Sequence, residues 1–182
     1  LKSKSIIVAV PSLALIKQSL KDWTTEFLSK DILPHWKVVC SDDTVGNFKD
    51  ADSILSTVYE SGIKATTNPI EIKNFLSKKT ASPKVIFTTY HSGKVLAEGA
   101  KKLGFTFDLL IADEAHKTVG VKHRTFSTLL FDKNIIIKKR LFMTATERVF
   151  KGNSENIVSM DDANTYGRTF HRLSFKKAID DK

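Results

Sequence analysis

The chain has 182 residues, of which 41% are hydrophobic, and this length suits one domain with a buried core. The longest apolar runs, such as Ile6–Val10, are far too short to cross a bilayer as a helix, so we expect no membrane partner. The formal net charge of +9 predicts contact with a polyanion such as a nucleic acid, and a basic but inert surface is the alternative.

A single cysteine, Cys40, excludes an intrachain disulfide and a zinc site built from cysteines. The first residues, Leu1–Ser5, are basic but lack the apolar core and the cleavage site of a secretory signal. These two features lead us to expect a cytoplasmic location.

Strand-like and helix-like patterns alternate along the chain, which predicts a mainly parallel sheet covered by helices. The predicted strands are Ser5–Val10, Lys37–Cys40, Lys84–Thr89, Phe107–Ala112 and Arg140–Met143, with shorter ones at Ile157–Met160 and Phe170–Phe175. The first predicted helix begins after Ser12, its cap, and carries an apolar stripe at helical spacing: Leu13, Ile16, Leu20, Trp23 and Phe27. Further helices are predicted at Ala51–Glu60, Pro69–Lys78, Ser92–Leu103 (ended by Gly104) and Thr125–Phe131.

Two adjacent carboxylates, Asp113 and Glu114, follow the apolar strand Phe107–Ala112. In open α/β sheets the ligand crevice lies outside the carboxyl ends of the strands. A carboxylate pair at that position can hold a Mg²⁺ ion and orient a water molecule for attack on a phosphate. The alternative is an acidic pair at the surface that caps a strand.

Hydroxyl-bearing residues follow three other predicted strands. Thr144-Ala145-Thr146 comes after Arg140–Met143, and Pro11-Ser12 precedes a helix whose N-terminal amides can attract a phosphate of a nucleic-acid backbone. Thr88-Thr89-Tyr90 repeats this arrangement one unit later, where Tyr90 is expected either to stack on a base or to pack at the strand edge. Each pattern alone is also typical of an ordinary turn at the end of a strand.

Taken together and in this order, these segments resemble four motifs of superfamily-two helicases and translocases. Pro11–Gln18 resembles motif Ia, Thr88–Ser92 motif Ib, Asp113–His116 the D-E-A-H box and Thr144–Thr146 the T-A-T motif. The chain is identified as a member of this superfamily. The resemblance implies an α/β fold, namely a RecA-like three-layer sandwich, with ATP and Mg²⁺ as cofactors of the parent protein.

The resemblance also implies a role for each motif residue. Asp113 would hold Mg²⁺ through its water shell, Glu114 would orient or deprotonate the attacking water, and His116 would link the nucleotide site to the rest of the motor. Thr144 and Thr146 would relay the state of the acidic box. The nucleic-acid backbone would contact Pro11, Ser12, Gln18, Thr88, Thr89 and Tyr90.

Further segments narrow the resemblance to the DNA-translocating subunits of type I, type III and single-polypeptide restriction enzymes. These segments are Asp113–Gly120, Val158–Asp162, Tyr166-Gly167 and Arg172–Phe175. The resemblance favours DNA over RNA as the partner. It also implies a second RecA-like domain of the same parent chain, with residues 151–182 leading toward that domain.

No phosphate-binding loop of the form Gly-x-x-x-x-Gly-Lys-Ser/Thr occurs in the sequence, since the one Gly-Lys pair, Gly93-Lys94, precedes Val95. The resemblance places that loop before Leu1 and the arginine finger after Lys182. We therefore expect a partial first motor domain without the Walker A strand, which leaves neighbouring strands with unpaired edges. Such a piece is expected to bind no cofactor tightly and to hydrolyse ATP negligibly.

Two other functions stay open. A non-catalytic nucleic-acid-binding module is favoured by the missing loop, whereas the intact pair of Asp113 and Glu114 argues against it for the parent protein. An RNA helicase fragment is the other alternative, because the D-E-A-H box also occurs in that class.

Overall fold

A computed structural model of the chain describes residues 3–40, 65–121, 125–150 and 157–173. The strands in these ranges are β1 (Ser5–Val10), β2 (His35–Val39), β3 (Ala65–Thr66), β4 (Lys84–Thr89), β5 (Thr106–Ala112), β6 (Gly120–Val121), β7 (Ile136–Phe142) and β8 (Ile157–Val158). The helices are α1 (Leu13–Leu28), α2 (Pro69–Ser77), α3 (Gly93–Lys101) and the short α4 (Ala163–Tyr166). Two 3-10 helices cover Ala115–Thr118 and Thr125–Leu130.

The main sheet has six strands in the order β3-β2-β4-β1-β5-β7, and every pairing within it is parallel. Strands β6 and β8 form a separate antiparallel pair. Because the six strands run in one direction, all their carboxyl ends lie at a single edge of the sheet, which we call the carboxyl edge. The opposite edge is the amino edge.

The side chains of β1 alternate between two apolar cores, one on each face of the sheet. Ile6, Val8 and Val10 pack with the buried stripe of α1. Ile7 and Ala9 pack with buried residues of α2 and α3. The result is a three-layer α/β arrangement, and the predicted fold class is confirmed.

Helix ends follow the local signals in the sequence. The Ser12 side chain accepts a hydrogen bond from the Leu15 N–H (3.4 Å), and Asn68 does the same for the Ile70 N–H (2.9 Å), with proline at the first helical position. Helix α3 ends at Lys101, and the chain turns at Gly104, whose φ of +61° a residue with a side chain would adopt only at a steric cost.

Several predicted elements differ from the observed ones. Strand β7 begins four residues earlier than predicted, because its exposed lysines obscure the alternation expected of an edge strand. The segment Thr125–Leu130 forms a 3-10 helix. The strand predicted at Phe170–Phe175 is wrong for residues 170–173, where the Phe170 side chain is 82% exposed and no strand forms. The helix predicted at 51–60 and residues 174–175 lie outside the described residues.

No helix within the described ranges is long and apolar enough to span a membrane.

Candidate functional site

The residues that follow β5 form an acidic turn, Asp113–Thr118, between the ends of β1 and β7. The Asp113 N–H donates to the Ala9 carbonyl (2.9 Å), which ties the start of the turn to β1. The Ala115 N–H donates to the Met143 carbonyl (2.9 Å), which ties the turn to the residues after β7. These backbone bonds hold both acidic residues at the carboxyl edge, between the ends of β1 and β7.

Glu114 has a left-handed backbone conformation, with φ 50° and ψ 44°. Among the described non-glycine residues, only Asp31 shares a positive φ. Left-handed backbone is unfavourable for a residue with a side chain, and such residues are found where the surroundings hold them in place. The Glu114 N–H donates to Oδ1 of Asp113 (2.9 Å), so the two acidic residues also fix each other.

The Asp113 and Glu114 carboxylates retain room for a ligand. Glu114 is 39% exposed at its side chain, and Oδ2 of Asp113 accepts no hydrogen bond from the described part of the chain. No group of three or more His, Cys, Asp or Glu residues that could hold a metal ion occurs among the described residues. The two carboxylates of the turn are the side chains that could hold Mg²⁺, an ion that binds through one or two carboxylates and takes its other ligands from water and phosphate oxygens.

His116 bridges the acidic turn and the T-A-T segment. Its Nδ1 lies 2.9 Å from Oγ1 of Thr144 and 3.2 Å from Oε2 of Glu114. The single hydroxyl proton of Thr144 is donated to the Thr146 carbonyl (2.9 Å), so Nδ1 of His116 must carry a proton and donate it. The carboxylate of Glu114 favours the same tautomer. These four predicted residues are thus in one hydrogen-bonded group; their roles in hydrolysis and coupling stay predictions.

The motif Ia residues lie at the start of α1, next to the acidic turn in strand order. Pro11 and Ser12 are half-buried, and Gln18 is exposed in the second turn of the helix. The first-turn amides of α1 lack intrahelical acceptors, apart from the Leu15 N–H that Ser12 caps. This end of α1 presents hydrogen-bond donors at the carboxyl edge.

The motif Ib side chains are turned into the protein. Thr88 and Thr89 are fully buried, and their hydroxyls bond to the Thr89 carbonyl (3.1 Å) and to Oγ of Ser92 (3.2 Å). Tyr90 is 1% exposed, and its hydroxyl donates to the Asp113 carbonyl (2.7 Å). The structure therefore has the packed tyrosine, which was the alternative to base stacking, because β4 is covered on both faces. The exposed side chain of this segment is His91, whose ring lies 4.4 Å from that of Phe126.

Two residues outside the predicted site help to hold the acidic turn, namely Thr118, its last residue, and Tyr166 of α4. Oγ1 of Thr118 donates to the Ala115 carbonyl (2.7 Å), and the Tyr166 hydroxyl lies 2.7 Å from Oγ1 of Thr118. Both residues belong to segments that carry the family resemblance. The sequence holds no signal that brings them together, because their contact depends on the pairing of β6 with β8.

A parallel α/β sheet whose acidic turn is bonded to a T-A-T segment at the carboxyl edge defines the class of superfamily-two motor domains. Residues 1–149 match the family model described as "Type III restriction enzyme, res subunit", and the chain belongs to this family. The resemblance to superfamily-two helicases and to restriction systems is thereby confirmed. No curated protein matches the chain.

Two solved structures are similar to the chain over nearly its whole length. One is a nuclease-deletion mutant of the Type ISP restriction-modification enzyme LlaGI in complex with a DNA substrate mimic, with 29% identity, a TM-score of 0.70 and 97% of this chain covered. The other is the ATP-dependent Type ISP restriction-modification enzyme LlaBIII bound to DNA, with 28% identity, a TM-score of 0.71 and 99% covered. The chain spans 14% and 12% of those two proteins.

Proposed function

We propose that the chain is part of the first RecA-like motor domain of an ATP-dependent DNA translocase or helicase in a restriction-modification system. The family match and the likeness to two restriction enzymes support this proposal, and both of those enzymes were solved with DNA or a DNA mimic. The observation that carries it is the contact of His116 with both Glu114 and Thr144. This contact joins a pair of acids suited to phosphate chemistry to the loop that follows the next strand.

Asp113 and Glu114 divide the chemical work in this proposal. Asp113 would hold Mg²⁺ through bound water, and the ion would supply positive charge that neutralises the phosphates of ATP. Glu114 orients the attacking water and accepts its proton, which suits a carboxylate that is half-exposed and held by its backbone. The hydrogen bond from the Asp113 N–H to β1 fixes the position of the two acidic residues relative to the sheet.

His116, Thr144 and Thr146 form the coupling path of the proposed motor. Any displacement of Glu114 changes its 3.2 Å contact with His116, and His116 in turn contacts Thr144. Thr144 also accepts a hydrogen bond from the Thr146 N–H (3.2 Å), so the whole T-A-T segment follows the imidazole. A connected hydrogen-bond network of this kind would link the acidic turn to a second motor domain of the parent chain.

The nucleic-acid contacts in the proposal are to the phosphate backbone. Pro11, Ser12 and Gln18 lie at the start of α1, where helix amides and the net charge of +9 favour phosphate. Thr88, Thr89 and Tyr90 form the neighbouring turn, and they act there through the position of the backbone because their side chains are buried. Contacts of this type carry no base sequence information.

The decisive experiment replaces Glu114 in the full-length protein and measures DNA-stimulated ATP hydrolysis. We expect Glu114→Gln to lower kcat by roughly 100-fold or more while binding of a fluorescent ATP analogue is retained, because a general base contributes about that much. Glu98→Gln, at an exposed position of α3, is the matched control and should leave kcat unchanged. Equal activity of the two variants would overturn the proposed enzymatic role.

We propose further that the 182-residue chain alone hydrolyses ATP negligibly and binds ATP and Mg²⁺ only weakly, because its sequence holds no phosphate-binding loop of the form Gly-x-x-x-x-Gly-Lys-Ser/Thr. Robust turnover by the purified chain that Glu114→Gln abolishes would contradict this. A non-catalytic nucleic-acid-binding module would instead show no turnover in the full-length protein. Tighter binding to RNA than to DNA at one stated salt concentration would favour an RNA helicase.

A further inference from the structure

The peptide unit that precedes Glu114 is held by a buried tyrosine. Its carbonyl, that of Asp113, accepts the 2.7 Å hydrogen bond from the Tyr90 hydroxyl, and its N–H is donated to the Asp113 carboxylate. The bond from Tyr90 is therefore the link between this peptide unit and the rest of the core. Rotation of the unit would change φ of Glu114, so the Tyr90 hydroxyl opposes relaxation of the left-handed backbone.

The peptide unit that follows Glu114 is fixed independently of Tyr90. Its N–H, that of Ala115, donates to the Met143 carbonyl (2.9 Å), and its carbonyl accepts from the Lys117 N–H (2.9 Å). With one side of Glu114 fixed by backbone bonds, the orientation of its carboxylate depends on the other side. That side is the one held by Tyr90.

A second hydroxyl chain reaches the same turn from α4. Thr118 donates its one hydroxyl proton to the Ala115 carbonyl (2.7 Å), so the 2.7 Å contact between Thr118 and Tyr166 must be a donation from the tyrosine. The Tyr166 ring also packs edge-on against Phe142 at the end of β7, at 4.9 Å between ring centres. Tyr166 thus connects the segment 157–167 to the acidic turn.

Tyr90 is well suited to a fixed, uncharged donor. It is 1% exposed and packs edge-on against Phe126, at 6.2 Å between ring centres. Packing therefore fixes the ring, and the hydroxyl is aimed at the Asp113 carbonyl.

We propose that Tyr90 is a positioning residue that sets the orientation of the Glu114 carboxylate, and that Tyr166, acting through Thr118, is a second positioning residue for the same turn. This inference rests on the proposed role of Glu114 in ATP hydrolysis. The motif Ib tyrosine thus acts inside the protein, on the acidic turn. Stacking on a base would instead require an exposed ring.

The test removes single hydroxyls from the full-length protein while leaving the rings in place. We expect Tyr90→Phe to lower kcat for DNA-stimulated ATP hydrolysis by roughly three- to tenfold, the effect of one lost hydrogen bond, and to leave KM for ATP within about twofold. Tyr166→Phe and Thr118→Val should lower kcat in the same way but less, because they act on the far side of the turn.

A double-mutant comparison separates positioning from general stability. If Tyr90 acts through the Glu114 carboxylate, Tyr90→Phe should not change the residual rate of a Glu114→Gln protein. Asp108→Asn is the control for loss of stability, because Asp108 lies at the amino edge and contacts no residue of the acidic turn. It should leave kcat unchanged at a temperature where every variant remains folded by circular dichroism.

The possible outcomes distinguish this inference from the proposed function. If Glu114→Gln retains activity, the enzymatic proposal fails and this inference fails with it. The positioning role of Tyr90 alone is overturned by either of two results obtained with an inactive Glu114→Gln protein. In the first, Tyr90→Phe keeps its full kcat. In the second, Tyr90→Phe lowers the rate by the same factor in the wild-type protein and in the Glu114→Gln protein. If Tyr90→Phe does not fold, the test depends on Thr118→Val and Tyr166→Phe. An unchanged kcat of both variants would overturn the proposal that these hydroxyls position the acidic turn.

Discussion

The two aspartates of β5, Asp108 near its start and Asp113 just past its end, have opposite surroundings. Oδ2 of Asp108 accepts from the Lys4 and Ser5 N–H groups (2.9 and 3.1 Å) and from the Ser5 hydroxyl (3.1 Å), while Oδ1 accepts from Lys138 (2.7 Å). Within the described residues, the Asp113 carboxylate accepts a single bond, from the N–H of its own neighbour Glu114. A carboxylate surrounded by donors stabilises the fold, whereas one left with open oxygens is available to a ligand.

The same contrast holds for the edges as a whole. At the amino edge, the Asp108 carboxylate joins the starts of β1, β5 and β7. At the carboxyl edge, Glu114 has a left-handed backbone, and both acidic side chains are partly exposed. Hydrogen bonds to neighbouring strands and from the buried Tyr90 hold this turn in place. Substitutions at the amino edge should therefore change stability with little effect on the proposed activity, and substitutions at the carboxyl edge should do the reverse.

After Glu114→Gln, the largest effect is expected at the carboxyl edge from His116→Ala in the full-length protein. Loss of the imidazole separates Glu114 from Thr144, so we expect DNA stimulation of ATP hydrolysis to fall by roughly 10- to 100-fold, the usual range of coupling between two sites. The measurement is kcat with and without DNA. Because the His116 side chain is only 12% exposed, kcat is compared at a temperature where both proteins remain folded by circular dichroism.

A matched control removes an imidazole at the opposite edge of the sheet. His35→Ala removes an exposed ring at the start of β2, at the amino edge and away from the acidic turn. If His35→Ala and His116→Ala lose DNA stimulation equally, the bridge between Glu114 and Thr144 is not the coupling path.

At the amino edge, Asp108→Asn is expected to lower the free energy of unfolding, and this effect is smaller. The hydrogen bond from Lys138, followed by those from Lys4 and Ser5, lowers the pKa of Asp108 from 3.8 to about 2, in spite of the opposing effect of burial. This shift corresponds to roughly 2 kcal/mol, which we halve to about 1 kcal/mol because the Lys138 side chain is mostly exposed.

The sign of the pH dependence follows from that shift. The folded state holds the Asp108 proton less tightly than the unfolded state, so the contribution is complete above the unfolded pKa and is lost as pH falls from about 4 to about 2. Urea unfolding of the wild-type chain should show this loss, and Asp108→Asn should remove that part of it. Identical acid profiles for the two chains would contradict the assignment.

Much of the fold and the position of the acidic residues could be predicted from the sequence, because both depend on short segments of the chain. The apolar runs of β1 and β4 predict buried strands at their observed bounds, and the Ser12 and Asn68 caps predict where α1 and α2 begin. The position of the acids after β5 follows from the end of an apolar run. A parallel sheet then brings the strand ends together without further information.

The remainder depends on contacts between distant residues. The sequence contains Tyr90 and Tyr166, but their bonds to the acidic turn span 23 residues in one case and, through Thr118, 48 in the other. The two-residue strand β3 and the lysine-bearing edge strand β7 are also hard to predict, because burial there is set by neighbouring strands. Local propensity identifies the catalytic candidates, and tertiary packing supplies the groups that position them.

The smallest expected effect concerns Lys84, the buried cation of the amino edge. Lys84 is 8% exposed, its ammonium donates to the Leu76 and Lys78 carbonyls at the end of α2, and no carboxylate in the described ranges pairs with it. Burial lowers the pKa of Lys84, so the folded state favours the neutral amine more than the unfolded state does. The free energy of unfolding should therefore rise as pH increases toward 10.5, by less than the Asp108 contribution. Lys84→Met should lack this rise in urea titrations at successive pH values, and a rise of equal size in both chains would assign it to another group.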